Sequence, residues 1–245
     1  MKIVFVVYHD LKIEARSQET AEALKILGDV TVVTCAEPFL NPGYEAIVSS
    51  SKLPIIRYFL FLLKAKKTIK KVAPDVVCLH DCSLLVPYLR KRKTKIVYDQ
   101  SELLIDRKVT SLKSALLKLI DYSDKRYIKK CDIVFTANLE RAKIMQKYYC
   151  LDKLPIVFDN IHKIEDQYDT ELCQMKYDQY IKKTAFNIVS GGGLWKERRI
   201  YELMQAVIAE KGRYNLIIVG VAPRGEGVYK EIKKRDKYNS ISYLG

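Results

Sequence analysis

Phe186-Asn-Ile-Val-Ser-Gly-Gly-Gly-Leu-Trp-Lys-Glu-Arg-Arg199 decides the fold, because it begins an α/β pattern for the second time in one chain. Phe186–Ser190 reads as a strand, Gly191–Gly193 as a tight turn and Ile200–Lys211 as a helix. Tyr214–Val219 follows as a second strand, Val228–Lys237 as a basic helix and Ile241–Leu244 as a third strand. Upstream, the same alternation runs from the apolar strand Lys2–Val7 to about Asn160. Alternation of this kind implies parallel sheets covered by helices on both faces. Two such sheets facing each other are expected to make a cleft, with ligands at the carboxyl ends of the strands. The expected organisation is a complete first domain over residues 1–163, a polar, tyrosine-rich linker with a short helix over 164–184, and a partial second domain over 185–245. Three strands and two helices make about half of a doubly wound domain of ~100–150 residues.

The remaining elements of the first domain follow from period and punctuation. Glu14–Leu27 is expected as a helix closed by Gly28, Val30–Thr34 as a strand, and Tyr44–Ser49 as a short strand after the Asn41–Gly43 turn. Asp75–His80 and Lys95–Asp99 are short and β-branched, as buried parallel strands are. Leu112–Lys130 is helical, with Leu116, Leu119, Ile120 and Tyr127 near one face; Ile133–Thr136, Leu139–Tyr149 and Pro155–Phe158 complete the alternation as strand, helix and strand.

A chain of 245 residues with a formal net charge of +14 calls for a negative partner: nucleic acid, a phosphorylated ligand or an anionic lipid surface. Nucleic acid rests on charge alone, since no helix-turn-helix, zinc-finger or RNP-like pattern is present, and it is set aside. The basic residues recur at helix positions and before strands, as solvated faces do. Six cysteines without a CxxC pair indicate a reducing compartment, and three histidines argue against a His-rich metal site. Lys2–Tyr8 passes directly into polar sequence, which fits a buried strand rather than a signal peptide. No run reaches the roughly 20 apolar residues that span a bilayer. The longest is Leu53–Leu63, interrupted by Arg57 and running into the basic stretch Lys64–Lys71. Two readings stand for it: an interfacial helix that grips anionic headgroups, or a crossover helix packed on the sheet with snorkelling lysines.

Four local patterns carry the chemistry. They are Pro74-Asp-Val-Val-Cys-Leu-His-Asp81; Lys95-Ile-Val-Tyr-Asp-Gln-Ser-Glu102; Cys131-Asp-Ile-Val-Phe-Thr-Ala-Asn138 with Pro155-Ile-Val-Phe-Asp-Asn160; and Ser190-Gly-Gly-Gly-Leu-Trp-Lys-Glu-Arg-Arg199 with Leu216-Ile-Ile-Val-Gly-Val-Ala-Pro223. In this order and spacing the chain resembles the retaining GT-B glycosyltransferases of family 4. The resemblance implies an α/β, GT-B-like fold with one complete Rossmann-like domain and the first half of a second. It also implies transfer of a sugar, with retention and without a metal or other cofactor, from a UDP- or GDP-type nucleotide-sugar to a glycan or lipid-linked acceptor. Surface polysaccharide or glycolipid synthesis, at the cytoplasmic face of a membrane, is the expected setting.

The same resemblance assigns roles. Arg198, with Arg199 beside it, is expected to neutralise the leaving diphosphate, for which a planar guanidinium fork is suited. Gly192, Gly193 and Gly220 are expected to let the backbone approach the donor. Asp99 and Glu102 take the acidic positions of the catalytic signature, and Arg16, His80 and Asp81 fall on the acceptor side. Three departures stand out. Ser101 occupies the usual histidine position and lacks an imidazole's chemistry. No glycine precedes Gly28, so a glycine-rich loop after the first strand is missing, which also removes the G-x-G-x-x-G fingerprint of a dinucleotide enzyme. The family's donor-binding Glu-x7-Glu segment has no counterpart before Gly245. The rival expectation is therefore a truncated, inactive binding module, or one that needs a second chain to supply the rest of its donor domain.

Overall fold

The computed structural model describes residues 1–8, 15–35, 44–46, 53–100, 103–105, 108–159, 170–192, 194, 198–220 and 226–244. The expected sites Ser101, Glu102 and Gly193, with Asn160, lie outside them. The chain divides into two compact units, Met1–Lys163 and Ile164–Gly245.

In the first unit β1 (Lys2–Val7), α1 (Ala15–Leu27), β2 (Asp29–Thr34) and β3 (Tyr44–Ala46) come first. Helix α2 (Pro54–Val72) leads to β4 (Val76–His80), a 3-10 turn (Ser83–Leu85) and α3 (Val86–Leu89). Then come β5 (Lys95–Gln100), α4 (Leu112–Tyr127), β6 (Ile133–Thr136), α5 (Leu139–Tyr149) and β7 (Ile156–Val157). The sheet is parallel throughout, in the order β3-β2-β1-β4-β5-β6-β7. Strand order reverses between β1 and β4, and the crevice at such a switch point is where open α/β sheets bind ligands.

Alternation of side chains along each strand sorts the core into two faces. Ile3, Phe5, Val7, Val32 and Cys78 pack with Ala21 of α1. On the opposite face Val4, Val6, Val33, Val77, Leu79, Ile96 and Tyr98 pack with α2, α4 and α5. Burying each such side chain contributes on the order of 1.5–3 kcal/mol relative to leaving it in water. In α4 the buried stripe is Leu116, Ile120, Ser123 and Asp124, whereas Leu119 is only half-buried.

Helix α2 is the crossover helix of the second reading, packed on the sheet. Tyr58, Phe61, Leu62, Ala65 and Ile69 recur at helical spacing and are buried on the sheet. Its other face exposes Ile56, Phe59, Leu60 and Leu63, and Lys64, Lys67, Lys70 and Lys71 continue that face outward. The helix stops where Ala73 turns left-handed (φ 49°) before Pro74. Among the described residues no helix is long and apolar enough to cross a membrane.

The second unit contains α6 (Thr170–Tyr177), β8 (Phe186–Gly191), α7 (Ile200–Ala209), β9 (Tyr214–Val219), α8 (Glu226–Lys233) and β10 (Ile241–Leu244). Its strands are parallel in the order β10-β9-β8. Leu194, Met204, Val207, Leu216, Ile218, Ile232 and Ile241 form its core. The segment before β8 is fastened to this unit: Asn215 Nδ2 donates to Tyr180 O at 2.7 Å, and Lys182 Nζ donates to the carbonyls of Tyr238 and Asn239. After α8, the Asp236 carboxylate accepts from the amides of Ser240 and Ile241 at 2.7 and 2.9 Å, which sets the entry into β10.

Candidate functional site

Each sheet places its candidate residues at the carboxyl ends of its strands. In the first unit His80 ends β4, Asp99 is next to last in β5, and the two are register partners on adjacent strands. Arg16 lies in the first turn of α1. Its Nη2 donates to Asp99 Oδ1 at 2.7 Å and its Nε to Oδ2 at 3.2 Å, a two-pronged pairing that fits the planar guanidinium to the planar carboxylate. Its Nη1 donates to Phe158 O at 2.8 Å, and the guanidinium lies 5.3 Å from the centre of the Phe158 ring. His80 Nδ1 stands 3.4 Å from Asp99 Oδ2, and His80 Nε2 stands 3.9 Å from Asp81 Oδ2.

All four side chains are buried, with Arg16 4% and Asp99 6% exposed. Burial by itself works against ionisation of Asp99, yet the hydrogen bonds from His80 and Arg16 outweigh it and bring the carboxyl down to about 2. Asp81 holds a left-handed backbone (φ 55°), sparsely populated for a residue with a β-carbon, and Tyr58 Oη of α2 anchors its carbonyl at 3.0 Å. The result is an ionised carboxylate held in place at the carboxyl end of the sheet. The expected residues Arg16, His80, Asp81 and Asp99 are thus brought together, while Ser101 and Glu102 fall outside the described residues.

In the second unit the candidate residues are backbone and one arginine. Gly192 N donates to Val219 O at 2.8 Å and Gly220 N to Leu244 O at 3.0 Å, so the two glycines carry the β8–β9–β10 ladder past the strand ends. Both have positive φ, 121° and 141°. A β-carbon at Gly220 would run into the carbonyl of Gly192, and one at Gly192 would run into the guanidinium of Arg198. Glycine is therefore required at Gly220 by close approach to backbone as well as by conformation, and at Gly192 by conformation. The two arginines part company: Arg198 lies over Gly192, whereas Arg199 takes a left-handed turn (φ 55°) and pairs with Glu202 at 3.2 Å in the open. The exposed Arg198 guanidinium, for which no ion pair stands among the described residues, could offer an anion its donors.

Asp132 accepts from Ile96 N at 2.8 Å and Lys95 Nζ at 3.0 Å at the opposite end of β5, a structural tie away from the candidate site. Among the described residues Cys35, Cys78, Cys82, Cys131 and Cys150 form no disulfide. Among the described residues no group of three His, Cys, Asp or Glu is placed to hold a metal ion. Sequence reasoning missed the buried polar cluster around Asp124, whose only signal was an acid at a stripe position of an otherwise apolar helix face.

The architecture is that of the GT-B fold, two Rossmann-like units in succession. No protein-family model matches the chain, and no curated protein matches it in sequence. Solved structures do match along its full length. A glycosyltransferase from Rickettsia africae ESF-5 aligns with 100% of this chain and 68% of its own, at 19% identity and a TM-score of 0.69. HepE of Anabaena, solved with UDP, aligns with 100% of this chain and 69% of its own, at 15% identity and a TM-score of 0.67. WaaG, a glycosyltransferase involved in lipopolysaccharide biosynthesis, aligns with 99% of this chain and 69% of its own, at 14% identity and a TM-score of 0.69. At these identities the likeness is one of fold.

Proposed function

We propose that the chain is a retaining, metal-independent glycosyltransferase of the family-4 type, taking a sugar from a UDP- or GDP-type nucleotide-sugar. The observation that carries this reading is Arg198 over Gly192, beside Gly220, at the strand ends of the second unit. HepE, of the same fold, has been solved with UDP, which supports a nucleotide in this role. In the reaction the bond from the anomeric carbon to the diphosphate breaks and the acceptor oxygen takes its place. The acceptor's hydroxyl proton passes to the departing diphosphate. Arg198 offsets the charge that gathers on that diphosphate, with Arg199 as an outer neighbour. Asp99, Ser101 and Glu102 are assigned to the reacting end of the first unit, and Arg16, His80 and Asp81 to holding that end for a glycan or lipid-linked acceptor.

The acceptor's setting is read from α2. Exposed Ile56, Phe59, Leu60 and Leu63 continuing into Lys64, Lys67, Lys70 and Lys71 suit an anionic membrane surface, with the apolar stripe at the acyl boundary and the lysines at the headgroups. A cytoplasmic, peripheral enzyme of glycolipid or surface-polysaccharide synthesis fits this arrangement.

Isothermal titration of the folded chain with UDP, GDP and their sugar conjugates tests the reading. Binding with Kd on the order of micromolar supports it, and an absence of heat with every nucleotide removes it. For the membrane part, co-sedimentation with phosphatidylglycerol vesicles at low salt is expected, and Phe59→Ser with Leu60→Ser is expected to abolish it. A wild-type chain left in the supernatant would end that part alone.

A further inference from the structure

Behind the Arg16–Asp99 pair lies a second buried cluster that the proposed chemistry leaves unused. Asp124 of α4 is fully buried; Tyr98 Oη donates to its Oδ1 at 2.7 Å and Gln100 Nε2 to its Oδ2 at 2.9 Å. The Ser83 hydroxyl is also hydrogen-bonded to it. Gln100 Nε2 reaches Tyr149 Oη of α5 at 3.0 Å as well, and Ser83 and Ser123 join hydroxyls beside it.

The donors come from two segments. Tyr98 and Gln100 flank Asp99 at the end of β5, and Ser83 stands two residues past Asp81 at the exit of β4. Because side chains alternate along a strand, Tyr98 and Gln100 point to the sheet face opposite Asp99. One carboxyl thus fastens to α4 both chain segments that carry Asp81 and Asp99, the exit of β4 and the end of β5.

We propose that Asp124 is a positioning residue of the first-unit site, whose carboxyl staples the exits of β4 and β5 and whose proton sets how firmly Asp81 and Asp99 are held. This rests on the reading that this end of the sheet is the working end. The groups facing Asp124 are Tyr98 and Gln100 of β5, Asp81, Cys82 and Ser83 after β4, Asp121 of α4, Tyr149 of α5, Tyr58 of α2 and Cys131 before β6. Among the described residues no basic side chain hydrogen-bonds it. Burial lifts its carboxyl to about 8; Ser83 and Tyr98 oppose the rise, and the nearby Asp81 and Asp121 add to it. Losing the proton therefore puts an uncompensated negative charge behind both segments.

Amide hydrogen exchange read by mass spectrometry on the full chain tests this without donor or acceptor. From about pH 6 to about pH 9, corrected for intrinsic rates, peptides covering Cys82–Val86 and Tyr98–Gln100 should lose protection together, roughly tenfold. Peptides from β8 and β9 should not. Asp124→Asn, neutral at every pH, should keep the protection and erase the step, whereas Asp124→Leu should lack the protection throughout. A wild-type chain without the step, a step that persists in Asp124→Asn, or a loss spread evenly over the unit would each overturn the proposal. Failure of nucleotide binding would strike the functional reading and leave this result standing.

Discussion

At the carboxyl end of the first unit's sheet the polar groups are buried and already paired, whereas at the second unit's they are glycine backbone and one exposed arginine. Arg16, His80, Asp81 and Asp99 answer one another's charge and geometry internally, so that end is built before any ligand arrives. Gly192 and Gly220 spend their amides on the strand ladder, and the exposed Arg198 guanidinium is the charged group that stands over them. On the function proposed above, the contrast separates a site that holds a carboxylate still from one that admits a diphosphate.

The contrast can be broken most forcefully at Arg16. Arg16→Leu leaves Asp99 buried without its principal partner, and the first unit should lose about 3–5 kcal/mol in urea unfolding followed by circular dichroism. A loss below about 1 kcal/mol would mean that the pair does not organise that end. Gly220→Ala comes next. Its strained φ and the collision with the Gly192 carbonyl should cost the second unit about 1–3 kcal/mol, and UDP binding should fall with it.

Arg198→Ala sharpens the comparison instead of breaking it: stability should hold within about 0.5 kcal/mol, while UDP affinity drops by roughly 10- to 100-fold. Arg199→Ala should leave affinity nearly unchanged, because that side chain is turned to Glu202. Equal losses from the two arginines would erase the distinction drawn between them.

The smallest effect is on pH. Asp99 has a folded value of about 2, below its ordinary 3.8, so its stabilisation is whole above the ordinary carboxylate range and is lost as pH falls through about 2. Asp124 has the opposite sign. Its value of about 8 makes its contribution fullest below pH 3.8 and progressively lost as pH rises towards 8. Thermal melts should therefore show an acid loss that Arg16→Leu removes and a decline between about pH 4 and about pH 8 that Asp124→Asn removes.

Much of this was legible in the sequence because strands of β-branched residues announce their own ends. The runs ending in His80-Asp81 and Asp99-Gln100 placed those residues at strand exits before any coordinates, and the fold then brought Arg16 to them. The glycines were legible as turn formers, although their close approach to each other was not. Asp124 was hidden because helical period identifies a face but not which polar residue on it will find partners from two other segments. In hindsight Ser123 and Asp124 continue the stripe of Leu116 and Ile120. The short helix α3 carried no period and begins around Pro87. Arg198 and Arg199 look equivalent as neighbours, and only the left-handed backbone at Arg199 separates them.

The account turns on the second unit's strand ends being a nucleotide site. The most direct measurement is a two-dimensional amide NMR titration of the isotopically labelled chain with UDP, with inorganic phosphate as a control. The account predicts saturable shifts at Gly191, Gly192, Arg198 and Gly220 with UDP and none at matched phosphate. Shifts confined to residues around Arg16 and Asp99, or none anywhere in a folded sample, would contradict it.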